Sequence, residues 1–544
     1  MIKSKIQLLD NPVITKVVQY GFLILIALIM FQFLGMTNRY IFFAGGDNAT
    51  YFCLAQSIIQ DHSYADISTC PPTPHTKYPF MFPLLISIVI FFFGENILLI
   101  KIIIIAGSAT LMAGATALIW QDREDNYLAI IITLLVATVP LTVLYSSRLL
   151  SEIPYTAFSC LTILFAERAL KIDSIKNYNF ILCVIFCMIS YFTRSIGMTL
   201  VFSIILAFIS TPPVRIKFKQ NFVKAAAIAL PFFIGVGAWY FRGFILTGGK
   251  IKGYLQQFFT KNTYIIDSPK ISIADIMERI TTNAELYTIE LGDSLFPFSF
   301  NTYDQRTIIY GIIIVFIIVL GFVRVIKQRR GVPEYYLITY ITVIFVWGFR
   351  EKRFLIPLFP FLIYYLIKGI EGIAISVTSL FSQKIGTITK HTVIIAIAMI
   401  MLYSNIIQNI QTLSTTNKIN NSKGFEINPS FQIITTDKDM NRMLRLALFL
   451  RNHSEPGTII LARKPSLIYL ASGRPTIGGP FANDPEDFIS NLEKSNISYI
   501  IMDEFHPDII SAAISAIRSY PERFRMVYRI PGSNSMILRF VPDK

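Results

Sequence analysis

From Val17 to Met36 the chain reads VVQYGFLILIALIMFQFLGM, with no charge in it, and runs of similar apolarity recur through the first 411 residues. A helix needs about 20 mostly apolar residues to cross a bilayer. That repetition commits the chain to a bundle of membrane helices before any other feature is weighed. Composition agrees: 53% of the 544 residues are hydrophobic, 15% are charged, and mean hydropathy is +0.55. Soluble chains carry roughly 25% charged residues and disordered ones more, so both classes are excluded. The net charge of +15 falls in short clusters between apolar runs and not in one patch. Anionic lipid headgroups fit that distribution, and nucleic acid does not.

Cytoplasmic loops are enriched in Lys and Arg, which orients the bundle. Lys3, Lys5 and Lys16 place the amino terminus inside, and the first run has no small-residue cleavage site after it, so it reads as an uncleaved anchor. The stretch 80–93 is only about 14 residues long and opens on the breakers of KYPFMFPLL, too short for a comfortable span. It is expected to be re-entrant or to lie in the outer interface. Further spans then fall at 96–120, 127–145, 153–170, 178–194, 196–211, 224–246, 306–323, 334–349, 354–370 and 391–411, about eleven in all. With this parity Lys171 and Lys176, the cluster from Arg215 to Lys224, that from Arg324 to Arg330, and Lys368, Lys384 and Lys390 all lie inside. A full span at 80–93 would put the same clusters outside.

Residues 1–411 thus form a transmembrane domain with long outer loops at 38–79 and 247–305. Composition changes at 412–544: GTIILA and ISYIIMD read as buried strands, FRMVYRI and SMILRFV as a hairpin around PGSN, and DKDMNRMLRLALFLRNH as a helix. The expected fold class is an α-helical polytopic membrane protein with a small C-terminal extracytoplasmic α/β domain. Its expected location is the cytoplasmic membrane.

Charge recurs where spans meet the outer surface. GGDNATYFCLAQSIIQDHSY puts Asp47 after a diglycine at the head of an amphipathic helix, and PPTPHTKYP adds His75 and Lys77. Outer turns supply Arg148 and Glu152, then Arg194 in YFTRSIG, then Arg350, Lys352 and Arg353 in FREKRFLIPLFP. An ionisable residue at membrane level costs about 2.5–3.5 kcal/mol on insertion scales, so a collection on one side reads as functional.

GGDNATY, HTKYPFMFPLL, SRLLSEIPY, FTRSIG and REKRFLIPLFP, in that order, resemble the multi-spanning GT-C glycosyltransferases, in particular the protein O-mannosyltransferase and aminoarabinose-transferase-like group. The likeness covers roughly residues 15–370. It implies that Asp47 is a catalytic base, that Glu152 is the second acidic residue, and that Lys77, Arg194 and Arg350 or Arg353 face the donor phosphate. Tyr51, His75 and Tyr78 fall on the acceptor side of the first loop. The pattern departs where Ser-Glu replaces an Asp-containing pair. It also lacks the Trp-Trp-Asp motif of oligosaccharyltransferases, so N-glycan transfer is disfavoured.

The implied function is inverting transfer of a sugar from a polyprenyl-phosphate donor to a hydroxyl of a glycan, lipid or protein acceptor on the extracytoplasmic face. Such chemistry asks for a base at the acceptor hydroxyl and cations around the developing phosphate charge. It requires no cofactor. A divalent metal stays open, because Asp47, Asp61, His62, Asp66, His75 and Glu152 share the outer side, although their spacings match no standard ligand pattern. Each residue also has a plainer reading: Asp47 as a helix cap, Glu152 as a favourable first-turn acid, the cations as lipid-headgroup contacts. Cys53 and Cys70 share the first outer loop, and pairing in an oxidising compartment is open. A transporter or lipid flippase is the rival reading, which would more often show internal repeats and broken helices at mid-membrane.

Overall fold

The computed structural model describes residues 41–43, 45–172, 174–210, 214–249, 253–261, 268–295, 305–378, 383–420, 425–428, 431–435, 437–478, 484–504 and 507–542. The first expected span, 17–36, and Lys3, Lys5 and Lys16 lie outside the described residues.

Each of the other expected spans forms helix. Five described helices are long and apolar enough to cross a membrane: Ile97–Gln121, Lys219–Leu246, Gln305–Gln328, Lys352–Val377 and His391–Thr412. A sixth comes in two pieces, Asn126–Thr138 and Pro140–Ser146, bent by 55°. Pro140 has no N–H to donate and excludes helical geometry from Val139, which sits at φ −52°, ψ 121°. Tyr178–Thr193, Ser195–Ser210 and Val332–Val346 are apolar but shorter. The Glu152–Leu170 helix is buried along most of its length, which lets it carry Glu, Ser and Thr where a lipid-facing helix would not. Counted by length and apolarity, the described residues give five or six spans, fewer than the expected eleven. One of the eleven, 17–36, falls outside the described residues, and shorter or more polar helices sheltered by neighbours make the rest of the difference. Leu230, Ile234 and Phe241, and Ile309, Ile312 and Phe316, are exposed on the outermost helices and form the face that lipid would cover.

Helix Gln305–Gln328 crosses Phe359–Thr378 with backbones in contact. A Cβ on Gly321 would strike the Tyr365 carbonyl oxygen, and one on Gly369 the Ile317 carbonyl oxygen. Small residues at such crossings let dispersion replace the hydrophobic effect, which lipid does not supply.

The 13-residue helix Met81–Phe93 rises only about 20 Å, short of a hydrocarbon core. Both its ends stay against the first-loop helix Gly46–Gln60. Phe82 packs edge-on to Tyr51 at 4.9 Å, and Glu95, just beyond the far end, accepts a 2.6 Å bond from Gln56. The segment therefore does not cross to the opposite end of the bundle.

That opposite end gathers the charges expected inside. Arg123 makes a bidentate pair with Glu334 at 3.0 and 2.9 Å, Glu167 accepts from the Val332 amide at 2.7 Å, and Arg168 pairs with Asp122 at 2.7 Å. Lys368 reaches Glu124 at 3.3 Å, while Trp120 stacks on Tyr364 at 3.8 Å. The Glu152–Leu170 helix connects the two ends, with Glu167 in this cluster and Glu152 in the other.

The strands are β1 (Ile41–Phe43), β2 (Ala65–Asp66), β3 (Thr73–Pro74), β4 (Phe425–Asn428), β5 (Phe431–Ile434), β6 (Ile459–Leu461), β7 (Thr476–Ile477), β8 (Ile497–Met502), β9 (Phe524–Arg529) and β10 (Met536–Phe540). Five form one mixed sheet in the order β7-β6-β8-β10-β9, with β6 parallel to β7 and β8, and the β9–β10 hairpin antiparallel. Its apolar face packs under helices such as Pro485–Lys494, with Phe488, Leu492, Ile500 and Leu538 buried together. The last bundle helix, Gln383–Asn420, runs through the 411/412 boundary before the sheet region begins. A separate sheet, β1-β5-β4, pairs β1 in parallel with β5. The strand just before the diglycine is thereby fastened to the C-terminal region.

Candidate functional site

The site forms where four chain segments meet at one end of the bundle. Gly45 is extended and begins the Gly46–Gln60 helix without a side-chain cap, so the Asp47 carboxylate in the first turn is free of capping duty. It turns to two other partners. Tyr78 donates its hydroxyl to Oδ1 at 2.7 Å, and Arg353 donates Nη2 to Oδ2 at 2.8 Å. Burial pushes the Asp47 carboxyl up, but the Arg353 charge, the Tyr78 and Arg353 hydrogen bonds and the Lys77 charge outweigh it, and it titrates at about 2. A third of its side chain, 34%, still opens outward.

Glu152 heads its helix with a side chain only 2% exposed. Oε1 pairs with Arg194 and, at 3.4 Å, with Arg353 Nη1. Its Oε2 is buried and lacks a hydrogen-bond partner among the described residues. One guanidinium thus joins both carboxylates. Arg353 comes from the tight Lys352–Leu358 turn preceding the Phe359–Thr378 helix, and Arg194 from the break between Tyr178–Thr193 and Ser195–Gly197. Arg194 also donates to Ser151 Oγ at 3.2 Å, which meets the Tyr51 hydroxyl at 3.1 Å.

Lys77 places its ammonium over the rings of Tyr78 at 5.1 Å, Tyr254 at 5.6 Å and Phe349 at 6.0 Å. Burial lowers its pKa, partly countered by Asp47. His75 braces the loop: Nδ1 lies 2.9 Å from Asp66 Oδ2, and Nε2 accepts the Tyr78 amide at 2.8 Å. That acceptor role fixes Nδ1 as the protonated nitrogen facing Asp66, and the β2–β3 pairing holds Asp66 in place. A cavity of about 330 Å³ opens beside Lys77, lined also by Asp66, His75, Gln256 and Gln257.

Of the residues singled out in the sequence, Asp47, Glu152, Arg194 and Arg353 form one ion-pair network, with Tyr51, Tyr78 and Lys77 around it and His75 behind. Arg350 is not brought in. It is exposed, and its charge is felt by Arg279. The sequence reading missed Tyr254, whose only signal is an aromatic in a long outer loop, and Lys464 of the C-terminal region. Lys464 precedes the Pro465–Ser472 helix, and a Cβ on Gly46 would lie 3.4 Å from its ammonium. Cys53 is buried, Cys70 is exposed, and they are not paired. Among the described residues no three His, Cys, Asp or Glu side chains group as metal ligands, and the space between Asp47 and Glu152 is filled by Arg353.

A family model described as dolichyl-phosphate-mannose-protein mannosyltransferase matches residues 77–239. No curated protein matches the chain in sequence. The oligosaccharyltransferase of Archaeoglobus fulgidus, solved tethered to an acceptor peptide, is similar with a TM-score of 0.56 at 14% identity, over 97% of this chain and 74% of that one. ArnT from Cupriavidus metallidurans, solved bound to undecaprenyl phosphate, is similar with a TM-score of 0.54 at 10% identity, over 96% of this chain and 98% of that one. The first shares architecture with a chain that here has three isolated Trp, at 120, 239 and 347. Likeness over nearly the whole length, with the ordered motifs folded into one charged cluster, shows that this chain has the GT-C glycosyltransferase fold.

Proposed function

We propose that the protein is an inverting glycosyltransferase that moves a sugar from a polyprenyl-phosphate donor to an acceptor hydroxyl on the extracytoplasmic side. The observation that carries this reading is the Asp47–Arg353–Glu152–Arg194 network, open to the surface through Asp47 and flanked by Lys77. The solved relatives support the substrate class: one was solved with undecaprenyl phosphate, and the archaeal enzyme with dolichol phosphate and an inhibitory peptide. The extracytoplasmic assignment rests on the basic residues gathered at the opposite end of the bundle.

The acceptor oxygen attacks the anomeric carbon opposite the phosphate. A C–O bond forms there, the bond to the phosphate oxygen breaks, and its electron pair leaves with the polyprenyl phosphate. The acceptor proton passes to Asp47. With Arg353 and Tyr78 bound, Asp47 is a weak base. Donor phosphate competing for Arg353 would loosen that hold and raise its basicity towards the range a base needs. Lys77 meets the phosphate as a point charge, and the buried Glu152 keeps Arg194 and Arg353 in position. The glycosyl-phosphate bond supplies the driving force, so no organic cofactor is called for. A divalent cation binding both carboxylates would have to displace Arg353.

The test is the purified full-length protein in lipid nanodiscs, supplied with a panel of polyprenyl-phosphate sugars and assayed for sugar transfer or release. Donor should be consumed by wild type and not by Asp47→Asn. No consumption across the panel, or equal consumption by the variant, would sink the reading.

A further inference from the structure

Before a donor competes for Arg353, the arginines of the site are paired with carboxylates. Arg353 is shared between Asp47 and Glu152, and Arg194 is held by Glu152. Two cations are left over. Neither Lys77 nor Lys464 has a carboxylate within 4.0 Å among the described residues, yet both are half-buried and both act on Asp47. Each also feels nearby positive charge: Lys77 that of Lys464 and Arg353, Lys464 that of Arg463. The carboxylates that these lysines feel, Asp47 foremost, lie beyond ion-pair distance, so an anion between the two would relieve their repulsion in a pocket of lowered dielectric.

Lys464 is not a mobile surface lysine that happens to point inward, because the segment carrying it is fastened to the first loop on every side. Ser466 Oγ meets Thr50 Oγ1 at 3.1 Å, and its carbonyl accepts from Cys53 Sγ at 3.9 Å. The Thr476 amide donates to the Ser68 carbonyl at 2.5 Å, Phe431 packs on Phe52 at 5.1 Å, and β5 pairs with β1. These contacts hold the Lys464 stem across the bare backbone of Gly46. A Cβ there would come within 3.3 Å of Lys464 Cδ. Gly46 is thus the gap through which the C-terminal region reaches the residue next to it, Asp47.

We infer that Lys464 and Lys77 form a two-lysine clamp for the lipid phosphate, a diester in the sugar donor and a monoester in the polyprenyl phosphate that leaves, so that the C-terminal region completes the donor site and is more than a rim for the acceptor. The inference rests on the proposed polyprenyl-phosphate chemistry and adds to it a residue outside the membrane domain. The two lysines come from different parts of the chain and both reach the surroundings of Asp47: Lys464 lies over Gly46, next to Asp47 in the chain, and Lys77 lies over the ring of Tyr78, which donates to Asp47. Only a donor head seated between them satisfies both.

The test uses the full chain in nanodiscs and titrates undecaprenyl phosphate, with inorganic phosphate as a parallel arm, against wild type, Lys464→Met, Lys464→Arg and Gly46→Val. Lys464→Met should weaken undecaprenyl phosphate binding at least about tenfold, about 1.4 kcal/mol, and raise the donor KM more than it lowers kcat. Lys464→Arg should recover most of the affinity and carry the alkaline limb of the pH profile upward. Gly46→Val, which wedges the lysine away, should behave like Lys464→Met. Unchanged lipid affinity in a folded Lys464→Met protein overturns the clamp while leaving the transferase reading intact. Inorganic phosphate bound as tightly as the lipid would make the lysines a free-anion site and overturn the donor assignment. Wild type that neither binds nor turns over any polyprenyl phosphate removes the proposed function, and the clamp with it.

Discussion

Arg353 Nη2 lies 2.8 Å from Asp47 Oδ2, although 306 residues separate them in the chain. The same guanidinium lies 3.4 Å from Glu152. Two acids that would repel each other are thereby held at one point, which is the arrangement a displacement at a charged lipid head can use.

Replacing Asp47 with Asn keeps its shape and its bond to Tyr78 but removes the proposed base. Turnover should fall by about 10²–10⁴, with a modest drop in melting temperature from loss of the partly exposed pair with Arg353. A variant that merely melts earlier and keeps its turnover would assign Asp47 a structural role.

Glu152 behaves differently, because it is buried and neutralises two arginines. Glu152→Gln leaves Arg194 and part of Arg353 without a counter-charge, and breaking a buried pair in this way costs about 3–5 kcal/mol. Thermal unfolding in detergent should show a large drop, with activity lost in parallel.

At the opposite end, Arg123 is 1% exposed and Glu334 0%. Glu334→Gln should lower the melting temperature by a similar mechanism. The surviving folded protein should keep the wild-type donor KM, since distant sites without shared partners act independently. A shifted KM would show the two ends to be coupled.

Helix crossing gives a paired test. Gly321→Leu should be strongly destabilising, because any Cβ meets the Tyr365 carbonyl, whereas Gly237→Ala has nothing within 4 Å and should be neutral or stabilise by up to about 1 kcal/mol. Equal melting of the two variants would contradict the close crossing.

The pH dependence follows from the signs of two shifts. Asp47 is depressed to about 2, so its stabilising charge is fully present above the usual carboxylate value of 3.8 and is lost as pH falls through about 2. The kcat/KM profile, which reports the free enzyme, should therefore show no acid limb from Asp47 above roughly pH 4, kcat should show its limb at higher pH once donor has loosened Arg353, and Tyr78→Phe should move the free-enzyme limb upward. Lys77 is lowered from 10.5, so its proton leaves earlier than that of a free lysine, and the alkaline limb should move up in Lys77→Arg. Rates measured across pH 4–10.5 decide both.

Much of the architecture was readable in the sequence because apolarity and the basic bias are local. The runs at 97–121 and 305–328 fold as long helices, and the short stretch opening on KYPFMFPLL stays at one end as its length requires. The span count was less readable. A helix sheltered by neighbours, such as Glu152–Leu170, is free of the apolarity that lipid imposes, and Pro140 divides another span. In the site, Asp47, Glu152, Arg194 and Arg353 were identifiable as charges with no place on a lipid face. Arg350, three residues before Arg353, had the same signal and folds elsewhere, because the extended backbone at Glu351 separates it from the Lys352–Leu358 turn that carries Arg353.

By itself the sequence determined a polytopic bundle, its two charged ends and the charged candidates of the membrane domain, because the cost of placing charge in lipid falls on each residue separately. Only the tertiary structure decided which charges neutralise one another and which are left for a ligand. Arg353 is taken by two carboxylates, while Lys77 and Lys464, 387 positions apart by number, are left facing Asp47. That partition depends on distances of a few ångströms between segments remote in the chain, and no local pattern of residues encodes it.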